Sequence, residues 1–240
     1  MKRERGVALL VVLWVLALLS VLLASLAGWV RLETRQALWQ RQHTQALLAA
    51  EAGVSLAVVG LLDRQPARQW RADGRARALA FDDSTLHVSV FSERGKLDLN
   101  SAASADFARL LRAVGASAAQ GDALAQSLDQ RRGGGRAPLR LLEEVRVLPG
   151  MTQRLYTALA PEVTLWSGLD RPDAAFASPL LKRALALPES SLQGAEPGPI
   201  LTVHSEARLA DGAVATLRIT LLLTASKEGT RPYRVLRWQP

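Results

Sequence analysis

Cysteine is absent from the 240-residue sequence, and only three histidines are present, His43, His87 and His204. The missing cysteine excludes disulfide bonds, thiolate metal sites and cysteine nucleophiles. The histidines are far apart in the sequence, and no serine lies in a nucleophile elbow. Glu143 and Glu144 are neighbours on a predicted helix, so their carboxylates point in different directions. We therefore expect no enzymatic activity.

Charge is missing from residues 7–30, which read VALLVVLWVLALLSVLLASLAGWV. At about 1.5 Å per residue, a helix of this length crosses a hydrocarbon core of about 30 Å. The apolar region of a secretory signal peptide is only about 7 to 15 residues long. The run therefore predicts a transmembrane helix that is retained rather than removed.

Basic residues lie mainly on the short side of this span. Residues 1–6 contain three of them, and Arg31 follows the span directly. This distribution predicts a single-pass protein with a cytoplasmic N-terminus and with residues from Leu32 onward outside. The formal net charge of +8 could indicate a nucleic acid or anionic lipid partner. Because the arginines are spread through the chain and mixed with 22 acidic residues, a solvated surface is favoured.

The span is expected to continue as one long helix through residues 31–62. Gly53 is tolerated within a helix, and Pro66 supplies a stop after it. An apolar stripe on the outer half contains Leu47, Val54, Val58 and Leu61. Such a stripe must pack on something, so we predict a stalk helix that packs on its own domain and contributes a partner interface.

The rest of the chain mixes strand and helix patterns. Residues 63–84 are predicted to form a loop, and alternation predicts strands at 85–91, 96–99, 200–209, 213–223 and 232–238. Helices are predicted at 104–114, with Ser104 as N-cap, and at 117–130, 139–147 and 152–161, with a flexible break at 131–135. A last helix is predicted at 171–187, with Ser178-Pro179 interrupting or restarting it. Asp211-Gly212 predicts a two-residue hairpin.

These elements predict an α+β fold in which the long transmembrane and stalk helix packs on a small antiparallel sheet interrupted by an all-helical insert. The predicted organisation is a leader at 1–6, a transmembrane helix at 7–30 and a stalk at 31–62. An α/β domain is expected from 63–99 and 195–240, and the insert from 100–194.

The leader resembles the class III signal of type IV pilins and type II secretion pseudopilins. It is basic and ends in Gly6 directly against the apolar run. The resemblance implies that a prepilin peptidase cuts after Gly6 and methylates Val7. Two positions depart from the common pattern: Val7 replaces the usual aromatic residue, and Val11 replaces the usual glutamate.

The whole chain resembles the minor pseudopilin K family of the type II secretion system. The segments that carry the resemblance are GKLDLNSA at 95–102, LEEV at 142–145, LPGMT at 148–152 and PYRVLRW at 232–238. The resemblance implies the pseudopilin fold and a non-enzymatic structural subunit of the bacterial inner membrane with a periplasmic domain. The implied partners are minor pseudopilins I, J and H, the prepilin peptidase and the inner-membrane assembly platform.

Val11 and the insert together predict a position at the pseudopilus tip. In pilins the glutamate at this position pairs with the methylated amine of a neighbouring subunit already in place. A subunit that enters first meets no such amine, and an unpaired carboxyl in hydrocarbon would cost several kcal/mol. Val11 avoids this cost, and the insert is expected to obstruct stacking of another subunit above it.

A calcium site is also implied by the resemblance, without assigned ligands. Asp170 and Asp173 come nearest to an oxygen cluster, but they lack the spacing of an EF-hand. Helix N-capping explains the two aspartates equally well.

The LPGMT segment leaves an alternative function open. A turn of this kind between two helices can hold a DNA phosphate through backbone N–H groups. The alternative is therefore a membrane-anchored component of a DNA-uptake pilus. Because phosphate binding normally needs several cations around the turn and only Arg154 closely follows it, a structural corner is favoured over nucleic acid binding. A membrane anchor with an unrecognised enzyme domain is the least supported hypothesis.

We predict that the mature chain begins at Val7 and carries a methyl group on its new N-terminus. The measurement is the intact mass of the protein extracted from membranes. A Gly6→Val variant should keep its leader, since glycine at the cut allows the close backbone approach that cleavage needs. A wild-type N-terminus at Met1 or near Ala27 would contradict the pseudopilin interpretation.

Overall fold

The structure, a computed structural model, describes residues 4–133, 137–224 and 232–239. Residues 1–3 of the predicted leader lie outside this part of the chain, as do residues 134 and 135 of the predicted flexible break. The chain begins with one continuous helix, α1 (Glu4–Leu61), of 58 residues. It is about 87 Å long at the usual rise per residue. The predicted union of span and stalk in one helix is confirmed.

The two halves of α1 have different surroundings. The apolar segment Leu10–Leu23 has exposed side chains throughout, whereas Glu33–Leu61 is half buried within the fold. Ser20 and Ser25 donate their hydroxyls to backbone carbonyls within the helix, so neither leaves an unpaired donor. An exposed apolar surface of this length is costly in water and favourable in lipid. The N-terminal half of α1 is therefore a candidate membrane span.

A five-stranded antiparallel sheet covers the outer half of α1. The strands are β1 (Arg77–Phe81), β2 (Ser84–Ser92), β5 (Ile200–Leu209), β6 (Val214–Leu223) and β7 (Tyr233–Gln239), in spatial order β1-β2-β5-β6-β7. Side chains of β2 alternate between buried and more exposed positions, as the sequence pattern predicts. One face of the sheet packs on α1, and the other face is polar.

The core between α1 and the sheet is built from small residues on the helix and aliphatic residues on the strands. Ala50, Ala57, Val88, Val203 and Leu217 are all buried there. Gly53 lies so close to β5 that a Cβ atom would come within 2.2 Å of the Ser205 hydroxyl oxygen. Glycine therefore permits the helix to approach the sheet closely, at the cost of its low helix propensity.

Two local predictions about this sheet were wrong. Residues 63–84 contain the edge strand β1, which pairs with β2 across a two-residue turn at Asp82 and Asp83. An edge strand has one neighbour and little burial, so its alternation is weak in the sequence. The last pair of the β5–β6 hairpin is Arg208 with Val214, so its connection is longer than the two residues predicted from Asp211-Gly212.

The insert between β2 and β5 is mainly helical. A 3₁₀ turn at Glu93–Gly95 directly follows β2. The helices of the insert are α2 (Ser104–Ala113), α3 (Ala118–Arg132), a 3₁₀ helix (Leu142–Val147), α4 (Gln153–Leu159), a second 3₁₀ helix (Ala160–Glu162) and α5 (Pro179–Leu185). Two short strands, β3 (Leu97–Asp98) and β4 (Val163–Thr164), pair in parallel as a separate sheet. The predicted strand at 96–99 thus forms outside the main sheet, and the insert is not all-helical.

Three predicted helical features of the insert also differ. Ser104 is the first residue of α2, and Ala103 occupies the cap position without a side-chain bond. The predicted helix at 139–147 is reduced to the first 3₁₀ helix. The predicted helix at 171–187 is reduced to α5, because Pro179 fits only its first turn and Ser178 caps that turn through the Leu181 N–H.

The insert has its own core and leaves the sheet at the end far from the membrane span. Its buried cluster includes Leu97, Leu99 and Phe107 and is separate from the core under α1. The turns that join β1 to β2 and β5 to β6 lie beside Leu48 of α1, which is on the side of the domain nearer to the apolar half of the helix. The opposite ends of β2 and β5, where Ser92 pairs with Leu201, carry the insert.

We predict that Val54→Arg destabilises the domain and that Val59→Arg does not. Val54 is 3% exposed in the core, whereas Val59, on the same helix, is 67% exposed. Burying an unpaired charge should lower the free energy of unfolding by at least about 3 kcal/mol, against about 0.5 kcal/mol for a surface substitution. The measurement is thermal unfolding of the full chain in detergent. Equal melting temperatures for both variants would show that the stripe faces solvent.

Candidate functional site

The structure places the predicted stripe of α1 on the inside of the fold. Val54 and Val58 are each 3% exposed and belong to the core under the sheet, while Leu47 and Leu61 are half-buried. These four residues were predicted to form a partner interface. For Val54 and Val58 this assignment was wrong, because the chain's own sheet already covers them.

A second apolar stripe on α1 faces solvent instead. It consists of Leu48, Leu56, Val59 and Leu62, whose side chains are between 37% and 67% exposed. Leu62 directly follows the last residue of the helix. Their spacings of eight, three and three place them on one side of a helix. We call this set the outer stripe. The sequence contains it, but the inner residues are equally apolar and periodicity alone does not tell which side faces the sheet.

The residues of the predicted processing site lie at the start of α1. Gly6 and Val7 are in its first turns, and Val11 follows within the exposed apolar half, with 55% of its surface accessible. No part of the domain covers Val11. Its side chain is therefore free to face lipid or another helix.

The GKLDLNSA segment connects several parts of the insert through hydrogen bonds. The buried Asp98 accepts hydrogen bonds from the backbone N–H groups of Asn100 and Gly168, at 2.8 Å and 2.7 Å. The Asn100 side chain exchanges two hydrogen bonds with the backbone of Leu139. Arg132 donates to the Ala102 carbonyl at 2.7 Å. The segment thus ties β3 to two distant loops and to the end of α3, which explains its polar residues.

Two other segments that carry the family resemblance meet where the insert contacts the sheet. Glu143, in LEEV, accepts a hydrogen bond of 2.5 Å from Arg237, in PYRVLRW. A second contact between insert and sheet is polar and buried: Glu93 pairs with Lys96 and accepts from the Thr202 hydroxyl. The insert is therefore fixed to the sheet by one charge pair, Glu143–Arg237, and by one buried hydrogen bond from Thr202 to Glu93.

Both glutamates of LEEV have lowered pKa values, for different reasons. Desolvation acts to raise the pKa of the Glu143 carboxyl, but backbone hydrogen bonding and Arg237 outweigh it and lower the pKa. The backbone N–H groups of Leu141 and Arg140 lower the pKa of Glu144, with help from Arg131. Each carboxylate is thus held by its own partners, and the two do not share a site.

Of the two aspartates considered for calcium binding, Asp173 is engaged by other groups. It accepts from the Ala175 N–H and forms an ion pair with Arg94 at 3.5 Å. Asp170 is exposed. Within residues 4–133, 137–224 and 232–239, no three histidine or acidic side chains are grouped so that they could hold a metal ion. The calcium site that the family resemblance implies stays a prediction without assigned ligands.

The remaining candidates from the sequence do not form a reactive site. His43 stacks on Trp39 of α1, His87 is exposed on β2, and His204 lies on β5 against Phe91. The turn at 148–152 follows a 3₁₀ helix and precedes the seven-residue α4. It is therefore not a turn between two α-helices, as a helix-hairpin-helix motif requires.

Sequence reasoning missed the polar face of the sheet. Thr202, His204, Arg218 and Thr220 lie on the face opposite α1, since they alternate with the buried residues of β5 and β6. The signal was present in the sequence as polar residues at every second position of these strands.

Comparison with solved structures identifies the fold. The chain is similar to a chain of the crystal structure of the GspK-GspI-GspJ complex from the type 2 secretion system of enterotoxigenic Escherichia coli, with a TM-score of 0.56 and 16% sequence identity. The match covers 83% of this chain and 97% of the other. No protein-family model and no curated protein matches the sequence. The predicted α+β pseudopilin-like fold is confirmed. At 16% identity the likeness shows the fold alone.

We predict that the Glu143–Arg237 contact contributes stability that acid removes. Because the pKa of Glu143 is lowered in the folded state, its contribution is present above the ordinary value of 4.5 and is lost as the pH falls through the folded value. Glu143→Gln should lower the melting temperature at pH 7 by no more than about 3 °C, and by less at pH 3. The exposed Glu189→Gln is the control. An equal effect of Glu143→Gln at both pH values would contradict this prediction.

Proposed function

We propose that this protein is a non-enzymatic structural subunit of a type II secretion pseudopilus. The observation that carries the proposal is the division of α1, which has an exposed apolar half and a half packed on an antiparallel sheet. This arrangement anchors a folded domain to a membrane through a helix that other subunits can pack against. The structural likeness to a chain of a pseudopilin complex supports the same conclusion.

The N-terminus is cytoplasmic in this proposal, and the domain lies in the periplasm. The basic leader supports this orientation through the positive-inside rule. A prepilin peptidase would remove residues 1–6 and methylate Val7, and the inner-membrane assembly platform would then extract the helix from the bilayer.

We place the subunit at the tip, where it initiates assembly. Val11 gives the span no carboxylate to pair with the amine of an earlier subunit. The insert leaves the sheet at the end far from the span, so it occupies the space in which another subunit would otherwise lie above this one. Both features are acceptable for a subunit with none above it.

The partners in this proposal are minor pseudopilins corresponding to the GspI and GspJ chains of the similar complex, together with H. The outer stripe supplies a surface for them. Leu48, Leu56, Val59 and Leu62 would be covered by an apolar helix, since ridges of side chains on one helix fill the grooves of another. The DNA-uptake alternative gains no such support, because its turn lacks the two flanking helices.

The test is to shear pseudopili from cells and locate this subunit in them. We expect gold-labelled antibody at one end only and a copy number of about one per pilus, by quantitative mass spectrometry. Val59→Arg, which should not affect folding, is expected to remain in the membrane and to lose co-purification with the minor pseudopilins. Labelling along the shaft would refute the tip position, and unchanged co-purification of Val59→Arg would refute the interface.

A further inference from the structure

A cleft of about 530 Å³ lies between the polar face of the sheet and the insert. This volume is within the range of about 300 to 1,000 Å³ that is usual for ligand sites. The sheet forms a polar floor, and Phe91, Trp166 and Phe176 belong to the apolar part of the lining. The cleft takes no part in the membrane span or in the packing of α1 on the sheet.

The floor of the cleft is an ordered grid of side chains. In one row across the strands, Thr202, Thr220 and Arg237 lie side by side, and in the next row His204 pairs with Arg218. Successive rows on one face of a sheet are about 7 Å apart. Arg237 and Arg218 therefore occupy fixed positions, separated by one row.

Arg218 is the cation of this lining that has no ion pair or hydrogen bond within the described part of the chain. Lys96 is paired with Glu93, and Arg237 with Glu143. Burial and the nearby Arg237 lower the pKa of Arg218, because both make its positive charge less favourable. Burial also lowers the pKa of His204 to about 3, which leaves that ring neutral at neutral pH. An added carboxylate would relieve the charge of Arg218.

Two further polar atoms of the lining lack partners among the described residues. One is Oε2 of Glu93, whose residue is 1% exposed, and the other is Nε of Arg237. Oε2 can only accept a hydrogen bond, and Nε can only donate one. Both atoms are enclosed by protein, so a ligand in the cleft does not contact them directly.

We propose that this cleft binds the C-terminal residue of a peptide chain. The terminal carboxylate accepts from the Arg218 guanidinium, and an apolar side chain contacts Phe91 and Trp166. The last residue of a peptide chain unites a carboxylate and an apolar side chain. Capture of a C-terminal carboxylate by fixed donors is a known mode of peptide recognition.

The experiment is fluorescence polarisation with the full chain in detergent and a labelled tetrapeptide of three alanines ending in phenylalanine. The free-acid peptide should bind saturably, and the same peptide with a C-terminal amide should bind at least about tenfold more weakly, as expected for a lost charged hydrogen bond. A third probe has a blocked terminus and an internal glutamate. Equal binding of the amide or of the internal glutamate would overturn the proposal, as would no binding of the free acid.

Arg218→Gln should weaken binding of the free-acid peptide by about tenfold or more for the same reason. Arg218→Lys should lose less, because it keeps the charge but not the planar fork. Arg234→Gln is the matched control, since Arg234 is exposed on the adjacent strand. Melting temperatures show whether each variant is folded. If folded Arg218→Gln binds as the wild type does, the site is not where we place it.

Discussion

The close packing of the outer half of α1 on the sheet is the contact on which the rest of the structure depends. Gly53 and the alanines beside it allow the helix backbone to lie near β5, and this burial gives the sheet one dry face. Because one face is covered, the register of every strand is set, and polar residues must emerge on the other side. The cleft and the seat of the insert follow from that one packed face.

Much of this architecture could be predicted from the sequence because it depends on local patterns of apolar, polar and capping residues. The uncharged run gives the span, and alternation gives β5, β6 and β7 to within a residue or two. Thr152 and Ser178 cap their helices, although the helix that Ser178 caps is much shorter than its pattern suggested. The structure confirms the long helix and the antiparallel sheet for these reasons.

What could not be predicted depends on contacts between distant residues. Which side of α1 faces the sheet is decided by the whole domain. Periodicity alone therefore assigned Val54 and Val58 to a partner interface, although the sheet covers them. The pairing of β3 with β4 joins residues far apart in sequence, and it draws Leu97 away from the main sheet. The Glu143–Arg237 pair spans 94 positions. No local pattern indicates such a partner.

The unbroken course of α1 has a mechanical consequence. No hinge or linker separates the apolar half from the packed half, and the strands beside the helix run roughly along its axis. A pull on the membrane end therefore loads the helix–sheet contact in shear, so that many side chains resist together rather than being peeled apart one after another. A push on the membrane end of α1 is therefore transmitted along the helix to the end of the domain that carries the insert.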